Sequence, residues 1–193
     1  MAPPTATQPA RPNQRDHILD VALRLMSEHG ASKTSMRQLA TACNLNVAAI
    51  YYYFESKDAL LAAVVDERRY GARLAVIPEI DPDSSPEQRL TTIFNTVWEG
   101  AFAEEPIWKL VLGEGLRQTP EVLEVGKNLL HLFRPGLTDW LRVSLPEVTE
   151  PAAAADLMIG QLFTGFMRHI FEPGLPLNEI ASDAVSSLKR VLL

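Results

Sequence analysis

The sequence predicts an all-α protein with an N-terminal three-helix helix-turn-helix domain, a C-terminal helical domain and about nine helices in total. Three observations support this class. Apolar residues recur at spacings of three and four along most of the 193 residues. Alternating strand patterns are missing, and prolines and capping residues recur where helices would begin. With 47% hydrophobic residues, the chain can form one large domain or a small domain joined to a larger one.

The first helix is predicted between Asn13 and Gly30. Its apolar residues repeat at three- and four-residue spacing, and glycine commonly ends a helix. The repeat consists of Ile18, Val21, Ala22, Leu25 and Met26. This helix is expected to support the two that follow.

Two short helices joined by a tight turn come next. Ser35 is a preferred N-cap, and Gln38 three residues later has the spacing of a capping box. Asn44 tolerates the positive φ that such a turn requires. Asn46 is a second N-cap, so a new helix is predicted over Val47 to Tyr53.

The second of these helices is predicted to have two different faces. Ile50 and Phe54 stand four residues apart and can anchor it to the core. Val47, Ala48, Ala49 and Tyr52 then fall on the outward side. An outward face of small apolar residues and an aromatic ring suits a surface that approaches another molecule closely.

Prolines and N-caps divide the rest of the chain into further helices. A long helix is expected from Ser56 to about Val76, and Ser85-Pro86 begins another. Later helices are predicted from Pro106 to about Gln118, from Thr119-Pro120 with a kink or break at Pro135-Gly136, from about Glu150 to Phe171 and from about Leu177 to Val191.

Charge is unevenly distributed along the chain, whose net charge is −6. Up to Lys57 there are six basic and four acidic residues, and the remainder carries twelve basic and twenty acidic ones. A mildly positive N-terminal part fits local contact with phosphates. Random surface variation explains the same split equally well.

Cys43 is the only cysteine, which excludes an intrachain disulfide and a cysteine-based zinc cluster. We expect it to be a small buried hydrophobe. The N-terminus lacks the apolar core of a secretory signal, and no apolar run is long enough to span a bilayer. The sequence therefore predicts a cytoplasmic protein without a membrane segment.

One stretch carries a family resemblance. The segments SMRQLA (35–40), NLN (44–46) and AIYYYFESKDAL (49–60) resemble the helix-turn-helix of the TetR family of transcriptional regulators. Tyr51, Tyr53-Phe54 and Ser56-Lys57 carry most of that likeness, which covers about the first third of the chain. The sequence departs from the pattern at the turn, which has Asn44 in place of the usual glycine.

The resemblance implies a DNA-binding regulator divided into three regions. The first is a tail over residues 1–12, whose Pro-, Ala- and Thr-rich composition predicts disorder. The resemblance implies the other two, a helix-turn-helix DNA-binding domain over residues 13–57 and an effector-binding and dimerisation domain over residues 58–193. Repression is the commoner outcome in this family, and activation is an open alternative. The implied partner is a double-stranded DNA operator.

The predicted DNA contacts divide by their role. Arg37 is the candidate for a bidentate guanine contact, and Val47, Ala48 and Ala49 can pack on thymine methyl groups. Hydroxyl groups and Lys57 are predicted to hold phosphates. The full predicted set is Thr34, Ser35, Arg37, Asn46, Val47, Ala48, Ala49, Tyr51, Tyr52 and Lys57.

The resemblance also implies that the middle helices enclose a cavity for a small, largely apolar effector. Aromatic residues at helical spacing are more often plain core, and that alternative stays open for each of them. The candidate lining residues are Phe94, Asn95, Trp98, Phe102, Trp108, Leu112, Asn128, His131, Phe133, Gln161, Phe163, Thr164 and Met167.

Proteins similar to this one pair through their last two long helices, which implies a homodimer. A two-fold dimer requires a roughly palindromic operator. The predicted interface consists of Leu157, Leu162, Phe166 and Ile170 together with Val185, Leu188 and Val191.

Catalytic chemistry has no recognisable pattern in this sequence, which predicts no enzyme, cofactor or metal site. Gly160 and Gly165 bracket a stretch that lacks the residues of a phosphate-binding loop. Two rivals remain open at this stage. One is an all-α enzyme or carrier that uses the same cavity, and the other is a helix-turn-helix that binds proteins. Salt dependence separates DNA binding from the second rival, because a DNA reader loses affinity steeply as salt rises.

Overall fold

The computed structural model describes residues 13–66 and 78–193, and all regular secondary structure in these ranges is helical. The nine helices in these ranges are α1 (Gln14–His29), α2 (Met36–Ala42), α3 (Val47–Tyr53), α4 (Lys57–Asp66), α5 (Pro86–Phe102), α6 (Glu105–Leu116), α7 (Pro120–Ser144), α8 (Pro151–Phe171) and α9 (Leu177–Leu192). The all-α prediction is therefore confirmed. The predicted tail over residues 1–12 and the continuation of the Ser56 helix beyond Asp66 lie outside the described residues.

Helices α1, α2 and α3, which form the head (residues 13–57), begin and end where local chemistry predicts. The Asn13 side chain caps α1 by accepting from the Arg15 N–H. Gly30 ends that helix with φ of 88°, a value that glycine adopts without strain. The Ser56 hydroxyl accepts from the Ala59 N–H at 3.0 Å and opens α4.

Two helices of the protein end in the same kind of turn. At the end of α2, the Leu45 N–H donates to the Ala40 carbonyl at 2.8 Å, with Asn44 at φ 55°. At the end of α6, the Thr119 N–H donates to the Glu114 carbonyl at 3.1 Å, with Gln118 at φ 61°. This pairing satisfies the free carbonyls of a helix C-terminus and places one residue in the left-handed region. Asn44 confirms the prediction, whereas Gln118 is an unusual residue for such a position.

The head shares its hydrophobic core with the body (residues 58–66 and 78–193). Ile18, Leu39 and Ile50 of the head are fully buried, and they belong to one cluster with Leu60 of α4 and Ile107 of α6. Cys43 is buried in the same cluster, and burial raises the pKa of its thiol. The head therefore packs directly onto helices of the body.

A second core lies among α5, α7, α8 and α9. Phe94, Trp140, Met158 and Ile180 are among its buried members. Ser85 and Pro86 begin α5 as the sequence predicts, and the Ser85 hydroxyl and the Gln88 side chain also form a capping box there. No helix of the described segments is long and apolar enough to cross a membrane.

The sequence predicts a kink or a break at Pro135-Gly136, and of these the break is wrong, because helix α7 runs continuously through Pro135. A proline inside a helix removes the hydrogen bond to the carbonyl four residues earlier, which here belongs to His131. Both residues are exposed, so that carbonyl lies on the solvent side of the helix. Water can replace the missing donor there.

Candidate functional site

The helix-turn-helix is fixed by capping bonds at both of its helices. The Ser35 N–H donates to the Gln38 side chain at 2.7 Å, and the Gln38 N–H donates to the Ser35 hydroxyl at 3.2 Å. The Asn46 side chain accepts from the Ala49 N–H at 2.8 Å. Ser35 and Asn46 are exposed, yet their polar groups are already used to begin α2 and α3.

Helix α3 presents one face to solvent. Tyr52 is 82% exposed and Tyr51 is 49% exposed, and Ala48 lies beside them at the surface. Ile50 and Phe54 are buried on the opposite side, as predicted. The exposed side of α3 is therefore a compact surface of one small residue and two tyrosine rings.

The outward face is narrower than the sequence predicts. Val47 is half-buried and packs against the core of the head, and Ala49 is also half-buried. The reason is that α3 lies close to α2 across a very short turn, so the first turn of α3 faces the neighbouring helix. Ala48 and Tyr52 stay fully on the outside.

Thr34 does not lie at the surface, so its predicted phosphate contact is wrong. The residue is 3% exposed. Its hydroxyl donates to the Gly30 carbonyl at 3.0 Å, and its N–H donates to the Ala31 carbonyl at 3.2 Å. Both donors of Thr34 are therefore used to close the turn between α1 and α2.

Basic side chains lie next to this turn. His29, Lys33 and Arg37 line a groove of about 400 Å³ at the junction of α1 and α2. Lys33 and Arg37 are exposed. Lys33 is absent from the predicted DNA-binding set. The sequence nevertheless indicates it, because this basic residue stands two positions before the Ser35 cap.

Lys57 has a structural bond in addition to its charge. The residue is half-buried, and its ammonium group donates to the Ala31 carbonyl at 2.9 Å. The ammonium has two further donors, so a phosphate contact from the same group is compatible with this bond. Lys57 therefore connects α4 to the α1–α2 turn.

An apolar cavity of about 470 Å³ lies between α5, α6, α7 and α8. Lys127 is the only residue with a charged side chain among the described ones that line it. The lining residues are Ala101, Phe102, Trp108, Val111, Leu112, Gly115, Val122, Leu123, Gly126, Lys127, Leu129, Leu130, Phe133, Ile159, Leu162, Phe163 and Phe166. A cavity of this size and character fits a small, mostly apolar molecule.

Five of the predicted effector residues line this cavity, namely Phe102, Trp108, Leu112, Phe133 and Phe163. The rings of Trp108 and Phe133 meet edge to face, with centroids 6.4 Å apart. These five residues come from four different helices, so the structure brings together side chains that are distant in sequence.

The other predicted lining residues lie elsewhere. Phe94 and Trp98 are buried in the second core, and Asn95 faces a separate groove between α5 and α9. The remaining five are exposed or half-buried residues outside the cavity lining, namely Asn128, His131, Gln161, Thr164 and Met167. The rotation of each helix about its own axis decides which residues face inward, and tertiary packing fixes that rotation.

Several lining residues were missed although their spacing contained a signal. Leu123, Gly126, Leu130 and Phe133 follow one another at three and four residues along α7, which places them on one face of a helix. Ile159, Phe163 and Phe166 do the same on α8. The polar residues expected inside lie on other faces of these helices.

The predicted dimer interface is only partly at the surface. Leu162, Phe166, Val185 and Leu188 are buried within the chain itself, because α8 and α9 pack on each other and on the body. Their assignment to an interface is wrong. The members that remain exposed are Leu157 at 45%, Ile170 at 40% and Val191 at 69%.

Further apolar side chains are exposed near these residues. Phe163 is 54% exposed and Phe171 is 72% exposed on α8, and Leu193 is 48% exposed at the end of α9. Clusters of exposed apolar residues on a helix commonly mark an interaction surface. No group of three or more metal-ligating side chains occurs in the part of the chain that the structure describes.

Comparison with known proteins extends this description. Residues 18–64 match the family model described as "Bacterial regulatory proteins, tetR family". The HTH-type transcriptional regulator AcrR of Shigella flexneri is 46% identical over 50 residues, which are 26% of this chain and 23% of that protein. The chain thus spans about a quarter of the length of this relative. AcrR is named as a transcriptional regulator and not as an enzyme.

Solved structures match over nearly the whole chain. A TetR transcriptional regulator from Legionella pneumophila has a TM-score of 0.72 at 19% identity, covering 96% of this chain and 100% of that one. The regulator FadR from Bacillus subtilis in complex with stearoyl-CoA has a TM-score of 0.63 at 16% identity, covering 90% and 96%. At these identities the matches establish the fold. The N-terminal match shows that residues 18–64 are similar to the DNA-binding part of TetR-family regulators, and the solved structures show that the chain has the fold of such regulators.

Proposed function

We propose that this protein is a homodimeric, cytoplasmic transcriptional repressor that binds a palindromic operator and leaves it when a small, largely apolar effector fills the cavity. The observation that carries the proposal is the combination of two surfaces in one packed unit. Ala48, Tyr51 and Tyr52 face outward on the head. The core beneath them continues into α6 and α7, which line the cavity.

DNA recognition would divide between position and sequence. Lys33, Lys57 and the exposed tyrosines are suited to phosphate contacts, which place the head without reading bases. Arg37 is the candidate for reading a guanine, and Ala48 leaves room for a close approach or a thymine methyl. Because this surface has few groups that can read bases, each base pair would contribute only modestly to the free energy of binding.

Dimerisation would use the part of α8 and α9 that remains exposed. Leu157, Ile170, Phe171 and Val191 leave apolar surface that a second copy can cover. A two-fold pair of heads fits half-sites separated by about one helical turn of DNA, roughly 34–36 Å, or a multiple of it. Leu157→Glu and Ile170→Glu, measured by sedimentation, should give monomers, whereas the exposed Val143→Glu on α7 should not.

The effector would be held by apolar contact. Among the described residues that line the cavity, Lys127 alone has a formally charged side chain. The ligand would therefore carry at most one anionic group, near that ammonium. The structural neighbour FadR was solved with stearoyl-CoA, whose acyl chain has this apolar character. We therefore propose a long-chain apolar compound as the class of effector.

Selection of duplexes from a random DNA pool tests the operator proposal. The wild-type protein should enrich an inverted repeat, and its affinity should fall steeply between low and moderate salt. Arg37→Ala should lose about 1–3 kcal/mol on the selected operator and relax one position, whereas Lys33→Ala should weaken all sequences alike. Enrichment of no sequence, or equal losses for Arg37→Ala on operator and scrambled DNA, would refute this assignment.

A further inference from the structure

One acidic side chain joins the cavity wall to the head. Glu114 lies on α6 and is only 2% exposed. Its Oε1 accepts from the Ala31 N–H at 2.9 Å, and its Oε2 accepts from the Thr119 hydroxyl at 2.8 Å. Arg117 lies at 3.4 Å from Oε1. We call the bonds from Glu114 to Ala31 and Thr119 the Glu114 link.

The Glu114 link holds the turn between α1 and α2 from one side. Lys57 of α4 holds the same peptide from the other side, because its ammonium donates to the Ala31 carbonyl at 2.9 Å. Gly30 lies against the carboxylate, and a Cβ placed there would stand 3.6 Å from Oε1. The two backbone groups of Ala31 are therefore fixed by α6 and α4, which both lead into the body.

The residues beside Glu114 face the cavity. Leu112 and Gly115 of α6 line it, and so do Val122 and Leu123 at the start of α7. Glu114 itself points the other way, toward the head. A molecule that separates the start of α7 from α6 inside the cavity therefore acts on the two helices that Glu114 connects.

Stability alone is a poor explanation for this carboxylate. Burying a charge costs free energy even when it is paired, and an apolar side chain of similar volume often holds a core equally well. The link also places negative charge just beyond the C-terminus of α1, where the helix dipole is already negative. The position of the Glu114 side chain is better explained by the geometry that its two hydrogen bonds fix.

We propose that Glu114 is the positioning residue that transmits cavity occupancy to the DNA-binding head. The inference rests on the proposed effector function of the cavity. The two carboxylate oxygens are shared between the head and α7, and a hydrogen bond weakens once its atoms separate well beyond 3 Å. An effector that moves α7 relative to α6 breaks one arm of the link, so the α1–α2 turn loses its fixed position and the head leaves its DNA-binding geometry.

The test uses the full-length protein, the neutral apolar fluorophore N-phenyl-1-naphthylamine and the operator selected above. Glu114→Leu has a similar size but removes both arms, because leucine accepts no hydrogen bond. Thr119→Val removes the α7 arm alone, and it serves if Glu114→Leu does not fold. Ile93→Val is the matched control, since it trims a fully buried side chain in the second core without touching the link.

Two quantities are measured for each variant. The first is the ratio of probe dissociation constants with and without saturating operator, and the second is the change in amide hydrogen exchange over residues 30–45 when the probe binds. The wild type and Ile93→Val should show a ratio of about 5–150 and faster exchange with probe. Glu114→Leu and Thr119→Val should bind the probe normally but show a ratio near one and no probe-dependent exchange.

The outcomes separate the link from the effector function. A wild-type ratio above one that Glu114→Leu retains in full overturns the link and leaves effector release intact. A second outcome is that the probe changes exchange in the wild type, that both link variants lose this change, and that the probe leaves operator affinity unaffected. This outcome supports the link and refutes effector release. A wild-type protein that does not bind the probe, or whose residues 30–45 do not respond to it, overturns the proposal.

Discussion

Gly165 on α8 stands where no larger residue fits, which makes its replacement by alanine a sharp test of the second core. A Cβ at this position would lie 2.5 Å from Cη2 of Trp98 and 3.2 Å from Cγ2 of Ile180. Trp98 cannot step aside easily, because its ring packs against Phe94 and Phe102 with centroids 5.8 and 4.2 Å away. Forcing extra volume into such a core costs about 1–3 kcal/mol.

The gain from helix propensity partly offsets this cost. Alanine is about 0.8–1 kcal/mol more favourable than glycine inside a helix, so Gly165→Ala should be roughly 0–2 kcal/mol less stable than the wild type. Gly100→Ala on α5 is the matched control, since a Cβ there meets no atom within 4 Å. That control should be about 0.5–1 kcal/mol more stable than the wild type.

Thermal unfolding followed by circular dichroism, at one protein concentration, compares the two variants. Their free energies of unfolding should differ by the overpacking cost alone, about 1–3 kcal/mol, and each kcal/mol shifts Tm by roughly 2–4 °C in a domain of this size. Gly165→Ala should also bind the fluorescent probe differently, because Phe102 both packs on Trp98 and lines the cavity. Equal Tm values for Gly165→Ala and Gly100→Ala would refute the account of this contact.

Two further predictions concern stability. Gln118→Gly should raise the free energy of unfolding by up to about 1 kcal/mol in urea titration, because a left-handed backbone strains glutamine and not glycine; a loss of stability would contradict the role given to this turn. Burial raises the pKa of Glu105, but Lys109 and His169 outweigh this effect and hold the pKa below the ordinary 4.5. The Glu105 carboxylate therefore stabilises the fold above pH 4.5, and this contribution is lost as pH falls through the lower folded-state pKa. Glu105→Gln should therefore be less stable than wild type at pH 7 and equal to it in strong acid, and a difference that persists there would contradict this reading.

Much of the head could be predicted because its signals are local. Ser35 and Asn46 begin helices through bonds to groups three residues away, and Asn44 turns the chain by its own conformational tolerance. None of these depends on distant parts of the chain. The prediction for Thr34 is wrong because the end of α1 determines the environment of this residue. There the Gly30 carbonyl accepts the hydrogen bond of the Thr34 hydroxyl.

The cavity and the interface could be predicted only in part, since they depend on how helices rotate against one another. Trp98 and Trp108 are alike in sequence pattern, yet Trp98 packs against Gly165 in the second core, whereas Trp108 lines the cavity. Leu162 and Phe166 are likewise turned inward by the packing of α8. The Glu114 link joins residues 83 positions apart, a separation over which no sequence pattern applies.

The bonds that Glu114 and Lys57 make to Ala31 reach only main-chain atoms. These bonds therefore hold the α1–α2 turn without using the Ala31 side chain, which is itself buried in the core that the head shares with the body. A head from another protein would need both the same backbone turn and side chains that complete the core shared with α4 and α6. Chimaeras of this kind would test whether the proposed effector response passes through this turn to a different operator.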